Sequence, residues 1–216
     1  IGQLTQHTET GLLELSYNRH WQETGFAISP ALSFEIQHDK AAAYNFLDNL
    51  LPEGEARKLL AQDVGVNEKQ VFPQISAIGK DLSGAFCFLA TQVPSIDKAI
   101  FRIIKKEELI HRLDHKEDIG LLQWDEKPRL SIAGVQDKLN VFVNEQDEIG
   151  LADGTLSSTH ILKFERKNCP NLVINEYFCM KLSRLVGLPT SEVVLKRFGR
   201  HPALLVKRFD RKYDLA

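Results

Sequence analysis

Cysteine is scarce in this 216-residue chain. Cys87, Cys169 and Cys179 sit in or beside apolar stretches, at spacings that form no pairing pattern. A disulfide framework or a zinc site is therefore not expected, and the usage suits a reducing cytosol. Net charge is nearly absent as well: 27 Lys and Arg stand against 29 Asp and Glu, a formal charge of -2. A protein that coats phosphate backbones carries a basic excess, so wholesale nucleic-acid binding is not the expected role. Candidates for a local basic face are "KRFGRHP" and "VKRFDRK" near the end. No apolar run approaches the roughly 18 residues that cross a bilayer, and no signal peptide opens the chain. There is no internal repeat and no low-complexity tract. These absences predict a soluble, cytoplasmic protein without a membrane partner. An initiator methionine is missing too: the chain starts at Ile1 and stops in "RKYDLA". Both ends read as cut, which predicts a piece of a longer chain.

The 43 % of hydrophobic residues is enough to fill a core, and the length suits two small domains better than one. Over residues 1–95 the pattern mixes short strands and helices. Leu13, Leu15 and Tyr17 alternate as in a half-buried strand, while Tyr44, Leu47 and Leu51 form a helical stripe flanked by Phe46 and Leu50. Pro52 restricts Leu51 away from helical geometry, so two helices joined at "LPEG" are expected. "ISAIGKDLSGAFCFLA" offers glycine turns at Gly79 and Gly84, then an apolar strand. Residues 96–129 are polar, with "KKEELIHRLDHKED" as an amphipathic helix, and read as the linker between domains.

From residue 130 the pattern becomes that of a sheet with one helix. Leu130 to Ile132 and Leu139 to Val143 read as strands around an "AGVQDK" turn, followed by the polar turn "NEQDEIG". "THILKFE" is a strand with Ile161 and Lys163 on one face and His160, Leu162 and Phe164 on the other. "NLVINEYFCMKLSRLVGLP" is a helix whose apolar side is Ile174, Tyr177, Phe178, Leu182 and Leu185, ended by Gly187 and Pro189. "SEVVLKRF" and "ALLVKRF" close the domain as a hairpin. The order strand, strand, strand, helix, strand, strand is that of a protein-kinase small lobe. The fold class expected is α+β: a small mixed domain, then a kinase-like small lobe over 130–216.

A nucleoside triphosphate carries about four negative charges, so its site needs backbone N–H donors, a fixed cation and a metal. Gly134 in "SIAGVQDK" lets a backbone approach phosphates without a Cβ in the way, and Lys138 adds charge at the rim. Alone, this is a weak signal: a single glycine between strands is more often a plain turn. Lys163 says more, because a lysine in an apolar strand needs a compensating carboxylate or phosphate. Glu176, thirteen residues on, could supply it, as the strand lysine and helix glutamate do in kinases. The plainer alternative is that Lys163 snorkels to solvent and Glu176 favours its helix N-terminus. Phe209 in "VKRFD" could press on a base or simply fill the core.

Taken together, "FLDNLLPEG", "SAIGKDLSGAF", "SIAGVQDK", "STHILK", "NEYFCMKLSRLVGL" and "VKRFDR" resemble, in order, signatures of the HipA family of bacterial toxin kinases. The resemblance runs over nearly the whole chain. It implies a serine/threonine protein kinase using ATP and Mg²⁺, whose targets in the family are aminoacyl-tRNA synthetases, with growth arrest and persistence as the outcome. It implies a small helix-turn-helix antitoxin, HipB-like, as partner, and DNA indirectly through that antitoxin. Carried over by position, Ala133, Gly134, Val135, Gln136, Asp137 and Lys138 would form the phosphate loop. Lys163 would be the nucleotide lysine paired with Glu176, and Lys207, Arg208 and Phe209 would form the hinge. Ser131 would be the autophosphorylated serine, where a dianion at the loop base would repel a triphosphate. Lys207 departs from the family, which commonly has glutamate there. The family's catalytic aspartate loop and its metal-holding aspartate should follow well after "RFDRKYD", so no metal ligands, no large helical lobe and no phosphoryl transfer are expected of these 216 residues alone. The alternative from a different class is a non-catalytic interaction module that binds a toxin or an antitoxin.

Overall fold

The computed structural model describes residues 1–34, 41–82, 84–89, 98–116, 121, 123–125, 127–129 and 136–211. The alternating Leu13–Leu15–Tyr17 stripe forms β2 (Leu13–Tyr17), which pairs antiparallel with β1 (Gly2–Gln6). The short α1 (Arg19–Thr24) begins at Asn18, whose side chain accepts from Trp21 N at 2.8 Å. Pro52 falls between α2 (Ala42–Asp48) and α3 (Gly54–Val64), as its restriction of the preceding residue predicts. Then come α4 (Val71–Ile78) and a single 3₁₀ turn, Gly79–Asp81. Leu32, Leu47, Leu51, Leu60, Ile75 and Leu82 make the core of this half.

Two expectations change here. Helix α4 is additional to the expected elements; its Pro73 lies in the first turn, where a missing N–H breaks no intrahelical bond. The apolar strand expected after Gly84 does not form. Residues 85–89 belong to no sheet, although Phe88 N donates to Gly79 O at 2.8 Å.

The second half is built on a six-stranded antiparallel sheet. Its elements are β3 (Ala99–Ile103), α5 (Lys106–Asp114), the two-residue strands β4 (Gln123–Trp124) and β5 (Lys127–Pro128), β6 (Lys138–Val143), β7 (Ile149–Gly154), β8 (His160–Phe164), α6 (Leu172–Leu185), β9 (Val193–Phe198) and β10 (His201–Lys207). The strand order is β3-β7-β6-β8-β10-β9, and β4 pairs with β5 apart from it. From β6 onward the succession is three strands, one helix and two strands, the plan of a kinase small lobe. The second of these is β7, however, for the expected strand at Leu130 to Ile132 lies outside the described residues. Its "IGLADG" sequence is poor in strand formers, yet it pairs with β3 on one side and β6 on the other. Gly150 is needed there: a Cβ would lie 2.3 Å from the Phe101 ring and 2.5 Å from Arg102 O.

Strand alternation gives the sheet two distinct faces. One carries Leu139, Val141, Leu162, Phe164, Ala203 and Leu205, covered by Leu109 and Leu113 of α5 and by Trp124. The stretch expected as a linker thus supplies an edge strand and a covering helix to this core. The other face receives α6, with Val173 buried against Val193 and Leu204 and with Tyr177 and Met180 alongside. Here the predicted apolar side of α6 is corrected. Of Ile174, Tyr177, Phe178, Leu182 and Leu185, only Tyr177 packs inward, while Phe178 is 63 % and Leu185 83 % exposed. The helix has apolar residues on two sides, and periodicity alone does not say which meets the sheet. It ends as expected: Leu188 N reaches Ser183 O at 3.0 Å and Gly187 N reaches Arg184 O at 3.1 Å, with Gly187 at φ 84°. No helix among the described residues is long and apolar enough to cross a membrane.

Candidate functional site

The register of three strands builds the site. Lys138 of β6 lies opposite Lys163 of β8, which lies opposite Leu204 of β10. Cross-strand partners share a face, so both lysines stand on the α6 side of the sheet. There Lys163 Nζ meets Glu176 Oε1 at 2.5 Å, with side chains 22 % and 26 % exposed. The amine is therefore neither snorkelling into open solvent nor fully enclosed. Burial, then the neighbouring charge of Lys163, pushes the Lys138 amine below its ordinary value, while Glu176, Glu53 and Asp137 act in the opposite direction. Two cations side by side on a partly buried face form a positive row that an incoming phosphate could meet.

Glu176 is held by the way α6 starts. Asn171, left-handed at φ 64°, does not cap the helix itself. Instead Glu165, just past β8, accepts from Leu172 N at 2.9 Å and Val173 N at 3.1 Å. A carboxylate at a helix N-terminus satisfies orphan N–H groups and suits the helix dipole. One short segment therefore carries both the lysine and the cap that orients its partner's helix.

Of the expected phosphate loop, Ala133, Gly134 and Val135 lie outside the described residues, as does Ser131, the serine expected to be autophosphorylated. Gln136 and Asp137 are committed to anchoring its downstream end. Gln136 Nε2 donates to Phe164 O at 3.1 Å, Asp137 O accepts from Phe164 N at 2.9 Å, and Asp137 Oδ2 takes Lys116 Nζ at 2.9 Å. Lys116 also donates to Glu165 O at 2.9 Å, which ties the loop end to the α6 cap.

At the expected hinge, Lys207 N donates to Glu192 O and Arg208 N to Thr159 O, each at 2.9 Å. The Lys207 amine points outward toward Glu192. Phe209 is 92 % exposed, so its ring belongs to no core. Arg208, expected as a nucleotide contact, turns its guanidinium away: with a side chain 1 % exposed, it bonds Asp81, Ser158, Asp210 and Leu82 O. Beside it His160 shares a 2.8 Å hydrogen bond with Thr159 Oγ1, and burial followed by the Lys207 charge lowers its pKa, favouring the neutral ring. Sequence reasoning missed Glu165, Lys116, Asp81 and Ser158. "GKDLSGAF" and "VKRFDR" were both visible as motifs, but nothing in a linear reading joins residues 127 apart.

Residues 1–89 match the family model described as HipA N-terminal domain, and residues 130–216 match that of the HipA-like C-terminal domain. The chain is 40 % identical over 212 residues to the serine/threonine-protein kinase toxin HipA of Shewanella oneidensis, covering 98 % of this chain and 48 % of that protein. It is 28 % identical over 222 residues to protein Y4mE of Sinorhizobium fredii, covering 99 % of this chain and 52 % of that one. A solved structure of Shewanella oneidensis HipA with HipB and its operator DNA superimposes with a TM-score of 0.85 at 39 % identity, covering all of this chain and 50 % of that one. The chain thus spans about half the length of the relatives it matches. With two successive HipA models matched along it and a HipA fold throughout, the chain belongs to the HipA family.

Proposed function

We propose that this chain is the nucleotide-binding half of a HipA-like serine/threonine protein kinase. The observation that supports this most is the Lys163–Glu176 ion pair, set beside Lys138 on one sheet face. The residues fit a triphosphate. Lys163 and Lys138 supply positive charge in a partly desolvated row, and Glu176 keeps the Lys163 amine on the sheet face rather than in solvent. The loop from Ala133 to Lys138 would close over the phosphates with backbone N–H groups, its downstream end held by Lys116 through Asp137. Backbone groups of Lys207 to Phe209 would read the adenine edge, with the exposed Phe209 ring free to cover a base. Bound ATP with Mg²⁺ supplies the transferable phosphoryl group, and a positioning carboxylate and the metal ligands are assigned to the half of its relatives that this chain does not span.

The same reading extends to the whole protein. It would phosphorylate a protein target, an aminoacyl-tRNA synthetase as in the family, causing growth arrest and persistence. Autophosphorylation at Ser131 would switch it off, and a HipB-like antitoxin would hold it on operator DNA. The HipA of the matched solved structure is in complex with HipB and operator DNA, which supports that partner. The test is calorimetric titration of the intact protein with MgATP. Saturable one-site binding is expected, and no binding at millimolar nucleotide would refute the reading.

A further inference from the structure

An ionic cluster among the described residues joins the two halves of the chain, and it grips the proposed hinge. Asp81, at the end of the 3₁₀ turn in the amino-terminal domain, accepts through Oδ1 from Ser158 Oγ at 2.9 Å, Arg208 Nη1 at 3.1 Å and Arg211 Nη2 at 3.4 Å. Its Oδ2 accepts from Asn140 Nδ2 at 3.3 Å. The next carbonyl, Leu82 O, accepts from Arg208 Nη2 at 2.8 Å and Arg211 Nη2 at 2.9 Å. Asp210 accepts two bonds from Arg208, at 3.0 and 2.7 Å, and one from Gly84 N at 2.9 Å. Arg211 also donates to Gly84 O.

Two guanidiniums and two carboxylates balance in charge, and the Arg208 side chain is 1 % exposed. Burying an arginine is costly unless its donors are met, and those of Arg208 are, so moving the backbone at position 208 works against this cluster. The cluster brackets Phe209, whose neighbours Arg208 and Asp210 it holds by their side chains. It also reaches the face that carries the lysines: Asn140, two residues along β6 from Lys138, shares its side of the sheet. The amino-terminal domain therefore reaches the hinge end of the same face on which Lys163 and Glu176 meet.

We infer that Asp81 is a positioning residue for nucleotide binding: through Arg208, the amino-terminal domain fixes the backbone that reads the adenine edge. This rests on the nucleotide reading above. The domain thereby becomes part of the adenine end of the site, and whatever displaces it would loosen nucleotide binding without touching the phosphates.

The experiment uses the intact protein and calorimetric titration with MgATP and, separately, adenosine, which has no phosphates. Asp81→Asn should weaken both by the same factor, roughly tenfold, because it removes the negative charge that Arg208 and Arg211 share at a positioning contact. Ser158→Ala, which removes a single hydroxyl from the same oxygen, should show the same pattern at about threefold and serves if Asp81→Asn does not fold. Amide exchange at residues 207–209 should quicken in both variants. Wild-type affinity for adenosine in a folded variant with a lowered melting point would make the cluster a structural clasp only and overturn the inference. Absence of any nucleotide binding by the wild-type protein would instead sink the nucleotide reading, and the inference with it.

Discussion

Replacing Lys163 with alanine removes a cation from the sheet face while leaving the strand, the turn and the adenine end unchanged. Its cost can be worked out in two parts. A charge pair about 4 Å apart at an effective dielectric of about 20 is worth about 4 kcal/mol. Glu176, at 2.5 Å, already cancels part of the Lys163 charge, and Lys138 remains beside the gap. About half the figure, ~2 kcal/mol, is then the net loss toward phosphate, or about 30-fold in Kd. Folding is affected separately. With side chains 22 % and 26 % exposed, the pair lies between a surface bridge and a buried one. Leaving Glu176 alone should cost about 1–2 kcal/mol, or a few degrees in Tm for a chain of this size. The assay is titration of the intact wild-type and Lys163→Ala proteins with MgATP and with adenosine, beside a melting curve. Adenosine affinity should stay constant while that for MgATP falls about 30-fold. Equal losses for both ligands, or none for MgATP, would refute the reasoning.

Other outcomes follow from the same structure. Ser131→Asp should weaken MgATP binding by placing negative charge at the base of the proposed phosphate loop, and calorimetry at wild-type affinity would contradict that. Burial pushes the Asp210 carboxyl up, but the Arg208 hydrogen bond and the charges of Arg208 and Arg211 outweigh it, leaving the folded pKa below the ordinary value. Its contribution to stability is thus present above the unfolded value of about 4 and is lost as pH falls through the folded one. Urea midpoints should drop below about pH 4, and Asp210→Asn should flatten that acid limb; an unchanged limb would remove Asp210 from the account. On α6, Val173→Ala should cost about 2 kcal/mol because Val173 is fully buried. Leu185→Glu in the isolated chain should stay within about 0.5 kcal/mol, and a large loss there would show that the outer stripe is packed.

How much of this was legible in the sequence depends on the range of the interaction. The Lys163–Glu176 pairing was readable because strand and helix are adjacent in sequence and only thirteen residues separate the charges. So was the Gly187 stop, a purely local backbone requirement. Strand β7 was not, since "IGLADG" forms a strand only because β3 and β6 supply partners on both sides. The charged run over 96–129 reads as linker from composition. Yet Leu109, Leu113, Leu121 and Trp124, spaced within it, are buried at 4 % exposure or less. Helix α6 shows the limit of periodicity: two apolar sides were available, and the sheet chose the one bearing Val173. The Asp81–Arg208 cluster lay furthest out of reach, because a partner 127 residues away leaves no spacing to read.

The Lys163 amine, held by Glu176, is the proposed place for a triphosphate to bind. The most direct measurement is a crystal structure of the intact protein with a non-hydrolysable ATP analogue and Mg²⁺. The account predicts phosphate oxygens within about 3 Å of Lys163 Nζ, with the Glu176 contact kept and the base against the backbone of residues 207–209. An analogue bound elsewhere, or a Lys163 amine making no contact with it, would contradict the account.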